Sequence, residues 1–434
     1  MSASLPQEQA LESEAQSQVP RNRLARTFSA LHYRDFRLVW FGAFTSTTGT
    51  WMQAVAQGWL VWKMTDSAVM LGIDAFLATG PMLIFSLFGG VIADRLDRRK
   101  ILIYSQYLQM SLAFTLAALA WSGELAVWHI FLISFLTGSA QSFSGPAYIS
   151  MLPRLVSRAD VPNAVAMNSM QFNLARVVGP ALAGITLAAW GAAACFAING
   201  LSFVAVVIAL LLIRPQPSNA GDMRRGVMEE MKEGFRFVGT RPTLLLLTFL
   251  AFSATFLGMA LVTFLPVVAE SIFQGGVRGY ANLLTIYGVG SVFGALLIAA
   301  TAHTSNKGRV ALRLQLGFGF LMIAFALSRS LPLSQVIVFF AGVCIVGVVA
   351  LYSSVVQLTT SDAMRGRVMS IFMLAFRGGM PLGNLIAGFV VERWSVSAAL
   401  VVNGAILALL TLVFIARRTR FDESAPSGVA GVAA

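Results

Sequence analysis

The chain has 434 residues, of which 57% are hydrophobic and 12% are charged, and its mean hydropathy is +0.75. This composition cannot cover a globular domain with polar surface, so it excludes a water-soluble protein and predicts a membrane protein. The net charge of +12 is not by itself evidence for nucleic-acid binding, because membrane proteins collect Lys and Arg in their cytoplasmic loops.

Apolar runs of about 20 residues, the length that a helix needs to cross a bilayer, recur twelve times along the chain. Helices are expected in all of them, because a segment in lipid must satisfy its own backbone hydrogen bonds. The spans cover residues 36–61, 69–93, 101–121, 127–148, 164–189 and 192–213, and then 244–268, 281–302, 310–327, 333–356, 368–391 and 398–415. The predicted fold class is therefore an all-α membrane protein with twelve transmembrane helices.

The basic residues orient this array of helices. If the N-terminus is cytoplasmic, the inner loops and tails contain 25 of the 31 Lys and Arg residues, and the outer loops contain four. This asymmetry predicts that both termini are cytoplasmic, and it accounts for the positive charge without a nucleic-acid partner. The two remaining residues, Arg176 and Arg377, fall inside predicted spans.

The polar segments divide the chain into five predicted parts. These are a disordered cytoplasmic tail (residues 1–30), an N-terminal six-helix bundle (31–213), a cytoplasmic linker (214–243), a C-terminal six-helix bundle (244–416) and a cytoplasmic C-terminal tail (417–434). An amphipathic helix is expected in the linker, because Val227, Met231, Phe235 and Val238 recur at near-helical spacing among charged residues.

The two halves of the chain share one local pattern. Arg176 and Pro180 of the fifth span recur 201 residues later as Arg377 and Pro381 of the eleventh span. A repeat of six helices, with the substrate path between the halves, is a known plan for transporters. Helix breaks are expected at Gly179, Pro180 and Pro381, since Pro removes a backbone hydrogen bond.

The loop after the second span contains an ordered motif, Gly90-Val-Ile-Ala-Asp94-Arg95-Leu-Asp97-Arg98-Arg99-Lys100. It resembles the signature between helices 2 and 3 of the major facilitator superfamily, except that Asp97 replaces the second Gly of that signature. The resemblance implies a major facilitator fold of two six-helix bundles, and a gate in which Asp94 latches helices 2 and 11 in the outward-open state. The predicted gating residues are Gly90, Asp94, Arg95, Arg98 and Arg99.

Further stretches narrow this resemblance. Residues 50–53, 57–60, 162–168 and 173–180 are similar to a branch that includes enterobactin exporters and macrolide efflux pumps. The resemblance implies proton-coupled export of drugs, siderophores or other small metabolites across the bacterial inner membrane. The chain has no Gly-x-x-x-x-Gly-Lys-Ser/Thr loop, so transport is expected to run on a gradient. The alternatives are an importer of a small organic solute or lipid, and a scaffold or receptor that transports nothing.

Polar residues inside the spans are candidates for the substrate cavity or for proton coupling, because burying them in lipid is costly. Arg176 and Arg377 either attract an anionic or polar substrate or pair with backbone carbonyls near the prolines. Asp74 either carries the coupling proton or lies solvated at the outer headgroups, and its shallow position favours the second interpretation. Gln53 and Gln57 share one helix face and either contact substrate or join packed helices.

Other chemistry is not expected. The chain has no zinc-protease or serine-hydrolase motif and no His or Cys cluster, which predicts that it is not an enzyme and uses neither a metal nor a cofactor. The expected partners are a small-molecule substrate, protons and the lipid bilayer. The chain is expected to be a monomer.

Overall fold

The computed structural model describes residues 28–85, 97–213, 227–300 and 306–417. In these ranges the regular structure is entirely helical. Nine of the described helical stretches are long and apolar enough to cross a membrane, and the stretch Arg158–Leu212 covers two predicted spans. The helices that cover the first and fourth predicted spans complete the set of twelve.

The first half of the fold contains five long helical runs. They are α1 (Arg34–Thr65), α2 (Ala68–Thr79), α3 (Arg98–Ser122), α4 (Val127–Met151) and α5 (Val161–Leu212). Beyond Gly80, α2 resumes as a helix that is described up to Phe85. Short 3-10 turns precede α1 and link α4 to α5. The fifth and sixth spans meet at Gly191 (φ 77°), a left-handed conformation that favours Gly.

The second half contains nine helices. They are α6 (Val227–Gly239), α7 (Pro242–Gly258), α8 (Ala260–Thr263), α9 (Leu265–Ser271), α10 (Gly276–Ala300), α11 (Lys307–Leu327), α12 (Leu331–Thr359), α13 (Asp362–Arg393) and α14 (Val396–Ala416). The helix α6 covers the amphipathic segment of the linker. It packs on α13 through an ion pair of 3.0 Å between Glu233 and Arg367.

Three predictions about helix boundaries are wrong. The seventh span is not one helix, since the chain leaves the helix at Met259 and at Phe264, and Pro266 cannot donate the hydrogen bond that would continue it. Conversely, α5 and α13 remain helical through the predicted breaks at Gly179, Pro180 and Pro381.

The reason is that each of these prolines removes one hydrogen bond, whereas close packing holds the helix on both sides of it. Gly179 is in contact with Trp51 of α1, and Gly379 and Gly383 are in contact with α7. Close packing through small residues holds the helical segments on both sides of each proline in place.

The N-terminal tail is shorter than predicted. Ser29 and Ala30 belong to a 3-10 turn, in which Ala30 is fully buried. The backbone nitrogen of Ala30 donates to Asn163 Oδ1 at 2.9 Å, and the hydroxyls of Ser29 and Tyr33 donate to Asp160. These donors hold the pKa of the Asp160 carboxyl below its usual value. The predicted tail residues 1–27 and 418–434 lie outside the described ranges.

The two halves meet along two helix pairs, α2 with α13 and α5 with α10. A Cβ on Gly72 of α2 would lie 2.7 Å from the carbonyl oxygen of Asn384, and one on Gly288 of α10 would lie 2.8 Å from that of Arg176. Only Gly permits backbones to approach this closely, so small residues set the distance between the halves.

The helix ends near Thr65 and Ala68 are called the outer end, because the charge distribution predicts that they face outward. Contacts between the halves hold this end together. Lys63 forms an ion pair with Glu270. Glu392, at the end of α13, accepts hydrogen bonds from the Ala68 backbone nitrogen at 2.7 Å and from the Ser67 hydroxyl at 3.1 Å. The structure is therefore closed at the outer end.

Candidate transport site

A buried carboxylate joins three helices of the first half. Asp74 of α2 is 6% exposed. The side-chain nitrogen of Gln57 on α1 donates to its two oxygens at 2.9 and 3.0 Å, and the Ser134 hydroxyl of α4 donates to it at 2.5 Å. Both donors are neutral, and Asp74 forms no ion pair with any described basic residue. The carboxylate is therefore held in place without a fixed counter-charge.

The prediction that favoured a solvated Asp74 is wrong. It relied on the position of Asp74 about five residues from the membrane interface, which is about 7.5 Å at 1.5 Å per residue. In the structure α1 and α4 cover the side chain laterally, which the position of Asp74 along its own helix cannot reveal. Burial and the absence of a counter-charge favour the other interpretation, in which Asp74 binds a proton.

A side chain of the second half covers this cluster. Tyr280 of α10 is 5% exposed, and its hydroxyl lies 3.4 Å from where a Cβ on Gly58 would be, one residue from Gln57. Its ring stacks on Trp59 of α1 with the ring centroids 6.4 Å apart. Tyr280 and Trp59 belong to different halves, so this pair of rings crosses the boundary between the halves beside the Asp74 cluster.

The two glutamines of α1 bond to other helices. Gln57 takes part in the Asp74 cluster, and Gln53 accepts a hydrogen bond of 2.7 Å from the Asn199 side-chain nitrogen on α5. Both glutamines are buried, at 8% and 9% exposed. Of the two predicted roles, the structure shows helix–helix hydrogen bonding in this conformation.

Arg176 lies at the boundary between the halves, on the part of α5 that contacts α10. Its guanidinium carbon is 5.7 Å from the centroid of the Trp51 ring and 5.3 Å from that of Phe172. Its Nε atom is buried and has no hydrogen-bond partner among the described residues. The Tyr287 hydroxyl of α10 lies within electrostatic range of the guanidinium. The predicted alternative, pairing with backbone carbonyls near Pro180, is not what the structure shows.

Arg377 has a different environment from its counterpart. It is exposed, and its Nη1 contacts the Met82 sulfur of α2 at 3.2 Å. The next residue, Gly378, packs against Leu83 of α2. Each arginine therefore lies where its helix meets the other half of the molecule.

The motif after the second span is described only in part, since Gly90, Asp94 and Arg95 lie outside the described residues. Asp97 caps α3 by accepting a hydrogen bond of 2.9 Å from the Arg99 backbone nitrogen. Asp is a favoured residue at this position, and its φ of −61° does not require Gly. Arg98 is the first residue of α3.

Arg99, one of the predicted gating residues, bonds to backbone carbonyls. Its side chain donates to the carbonyl oxygens of Leu210 and Leu211 at the end of α5, at 2.7 and 3.0 Å. A cation at a helix C-terminus satisfies orphan carbonyls and favours the helix dipole. Arg99 thus fastens α3 to the end of α5.

Several functional candidates were missed by the sequence analysis. Ser134, Asn199 and Tyr280 complete the polar contacts of α1, and Trp51 and Phe172 flank Arg176. One signal was available, because Phe172 precedes Arg176 by four residues and so shares its helix face. The other four residues lie on different helices from the residues that they contact, and local sequence does not show which helices pack together.

Spanning helices in two halves, with charged and polar side chains buried where the halves meet, define a membrane transporter. The chain matches the family described as transmembrane secretion effector over residues 25–428. It belongs to this family of the major facilitator superfamily, which confirms the membership predicted from the spans and the motif.

Characterised relatives cover nearly the whole chain. The multidrug efflux pump Tap of Mycolicibacterium fortuitum is 27% identical over 89% of this chain and 96% of its own length. The macrolide efflux protein A of Streptococcus pyogenes is 22% identical over 87% of this chain and 94% of its own length. The enterobactin exporter EntS of Salmonella typhimurium is 26% identical over 91% of this chain and 96% of its own length. The predicted branch of the superfamily is confirmed.

Solved structures support the fold. A D-xylose-proton symporter has a TM-score of 0.72 and 13% identity, covering 90% of this chain and 98% of its own. The nucleoside transporter NupG has a TM-score of 0.71 and 14% identity, covering 89% of this chain and 100% of its own. The likeness confirms the all-α major facilitator fold.

Proposed function

We propose that this protein is a proton-coupled exporter of drugs, siderophores or other small metabolites in the bacterial inner membrane, with both termini cytoplasmic. The observation that carries the proposal is Asp74, a buried carboxylate with neutral donors and a cover supplied by the other half. The export direction is supported by the relatives, which are two efflux proteins and an exporter.

The proton step follows from the position of Asp74. Its carboxylate accepts three hydrogen bonds, two from Gln57 and one from Ser134, and it has no ion pair with a described residue to give up when it binds a proton. When the outer ends separate, Tyr280 and Trp59 move apart and Asp74 becomes accessible from outside. It takes up a proton there, and reclosure of the outer end carries that proton inward in exchange for substrate.

Rocking of two six-helix bundles, residues 31–213 and 244–416, around a central cavity produces this exchange. The contacts of Glu392 with Ala68 and of Lys63 with Glu270 hold the outer end closed in the present structure and must break in each cycle. The gating role of Gly90, Asp94 and Arg95 at the opposite end remains part of the proposal and rests on the sequence motif.

The proposal is tested by comparing a deletion strain, the parent strain and an overexpressing strain. Minimum inhibitory concentrations are measured for a panel of drugs, together with the siderophore secreted into the medium. An exporter predicts that the deletion strain accumulates its substrate and that overexpression lowers the internal level. If overexpression raises internal solute, the protein is an importer. If neither strain differs from the parent for any compound, the scaffold or receptor alternative is favoured.

A further inference from the structure

The predicted spans contain a single carboxylate. Of the 19 acidic residues in the sequence, only Asp74 falls within a predicted span, whereas four arginines do: Arg37 and Arg313 near the inner ends of their spans, and Arg176 and Arg377 farther inside. Asp74 is bonded to Gln57 and Ser134 and forms an ion pair with none of these arginines. A buried cation is expected to pair with an anion, and Arg176 has no such partner among the described residues.

The surroundings of Arg176 leave its donors available. Aromatic rings of Trp51 and Phe172 lie 5.7 and 5.3 Å from the guanidinium carbon, and such rings stabilise a cation without accepting its N–H groups in conventional hydrogen bonds. Within the described part of the chain Arg176 has no hydrogen bond and no ion pair, and its Nε is buried. A planar guanidinium with unpaired N–H groups matches a carboxylate in geometry.

Arg176 lies where a bound ligand would contact both halves of the molecule. The backbone of Arg176 packs against Gly288 of α10, and Tyr287 lies within electrostatic range of its side chain. Trp51 belongs to α1 and Phe172 to α5, so three helices from two halves surround the guanidinium. A ligand held here contacts the surfaces that separate or approach in a transport cycle.

We propose that Arg176 binds the carboxylate of an organic anion and that Trp51 and Phe172 contact an aromatic or planar apolar part of the same molecule. This inference rests on the proposed transport function and adds the substrate class to it. Arg377 supplies a second positive charge at the α2–α13 boundary, which disfavours cationic amines in the same path. The substrate is therefore a small aromatic or apolar carboxylate, and not a basic drug.

The test is direct binding to the purified full-length chain in lipid nanodiscs. The probes are 1-naphthoate, 1-naphthamide and 1-naphthylmethylamine, which share a ring and differ in charge, and their dissociation constants are measured by equilibrium dialysis. The expected result is tightest binding of 1-naphthoate. Arg176→Gln should weaken it by about 10- to 100-fold, the effect of losing a charged hydrogen bond, and Arg176→Lys should weaken it less.

Controls separate a binding role from a general loss of folding. Arg313→Gln removes an exposed charge on α11 and should bind 1-naphthoate like the wild type. Trp51→Phe, which keeps a ring, should bind more tightly than Trp51→Leu. The proposal is overturned if 1-naphthoate does not bind saturably to the wild type, if the amine binds as tightly, or if Arg176→Gln and Arg176→Lys both bind it like the wild type.

The same experiment distinguishes this inference from the proposed function on which it rests. Binding in nanodiscs needs neither a proton gradient nor transport. Binding of 1-naphthoate that depends on Arg176, in a protein that moves no protons, would uphold the anion site and refute proton-coupled export. If the protein exports a compound with proton coupling but does not bind 1-naphthoate, proton-coupled export would be upheld and the anion site refuted.

Discussion

Replacing Asp74 by Asn tests the proposed proton site, because it removes the one titratable carboxyl of the spans and keeps its size. One carboxylate carries one proton per cycle. With the membrane potential held at zero, one pH unit supplies about 1.36 kcal/mol per proton, which is about a tenfold ratio of substrate across the membrane. A gradient of two units therefore predicts a ratio of about 100 for the wild type and about 1 for the variant.

The assay uses proteoliposomes with the compound that the susceptibility comparison identifies as substrate. Asn at position 74 cannot bind or release a proton, so Asp74→Asn should still exchange internal for external substrate while failing to concentrate it. Retained exchange shows that the variant is folded. Asp362→Asn, at a largely exposed carboxylate near the inner end of α13, is the matched control and should behave like the wild type. Concentration of substrate by Asp74→Asn at the wild-type level would refute the reasoning.

Three further predictions concern residues other than Asp74. Glu392→Ala removes the acceptor for the Ala68 backbone nitrogen, which should destabilise the closed outer end by up to about 1 kcal/mol. The ratio of open to closed molecules should then rise about fivefold, measured as spin-label distances between α2 and α13. Asp160→Asn should release the N-terminal turn, measured as faster proteolysis near Ser29. Because that carboxyl has a lowered pKa, its contribution is present above the ordinary Asp pKa and is lost as the pH falls through the lowered value. Asp94→Asn should reduce efflux while expression stays intact.

Each of these variants has a matched control in the chain. Glu124→Ala, in the exposed loop before α4, should leave the spin-label distances of the wild type. Asp362→Asn should leave proteolysis near Ser29 unchanged. Asp97→Asn keeps a good capping residue on α3 and should retain efflux. Unchanged distances in Glu392→Ala, unchanged cleavage in Asp160→Asn, or full efflux in Asp94→Asn would contradict the corresponding role.

The fold could be predicted from the sequence because its main determinants are local. Span length and apolar composition are properties of short segments, and a bilayer accepts few other backbone structures. The repeat of Arg176 and Pro180 indicated which helices correspond. The interruption of the seventh span was not predicted, although Pro266 lies inside that apolar run.

The candidate site could be predicted only in its parts. Asp74, Gln57 and Arg176 were found because polar residues in apolar runs stand out. Their roles depended on neighbours from other helices, and so the solvated interpretation of Asp74 was wrong. Nothing in the sequence around Asp74 shows that Ser134, sixty residues later, would donate to it at 2.5 Å. Pairings between helices arise from packing, which single-sequence patterns do not encode.

Substrate-dependent proton movement tests the central claim most directly. Inside-out membrane vesicles are loaded with a pH-sensitive dye and energised to an acidic lumen, and the identified substrate is then added. Proton-coupled export predicts that the lumen becomes less acidic as substrate enters, at about one proton per substrate molecule, and that vesicles with Asp74→Asn show no such change. Uptake of substrate by wild-type vesicles with no change in luminal pH would contradict the account.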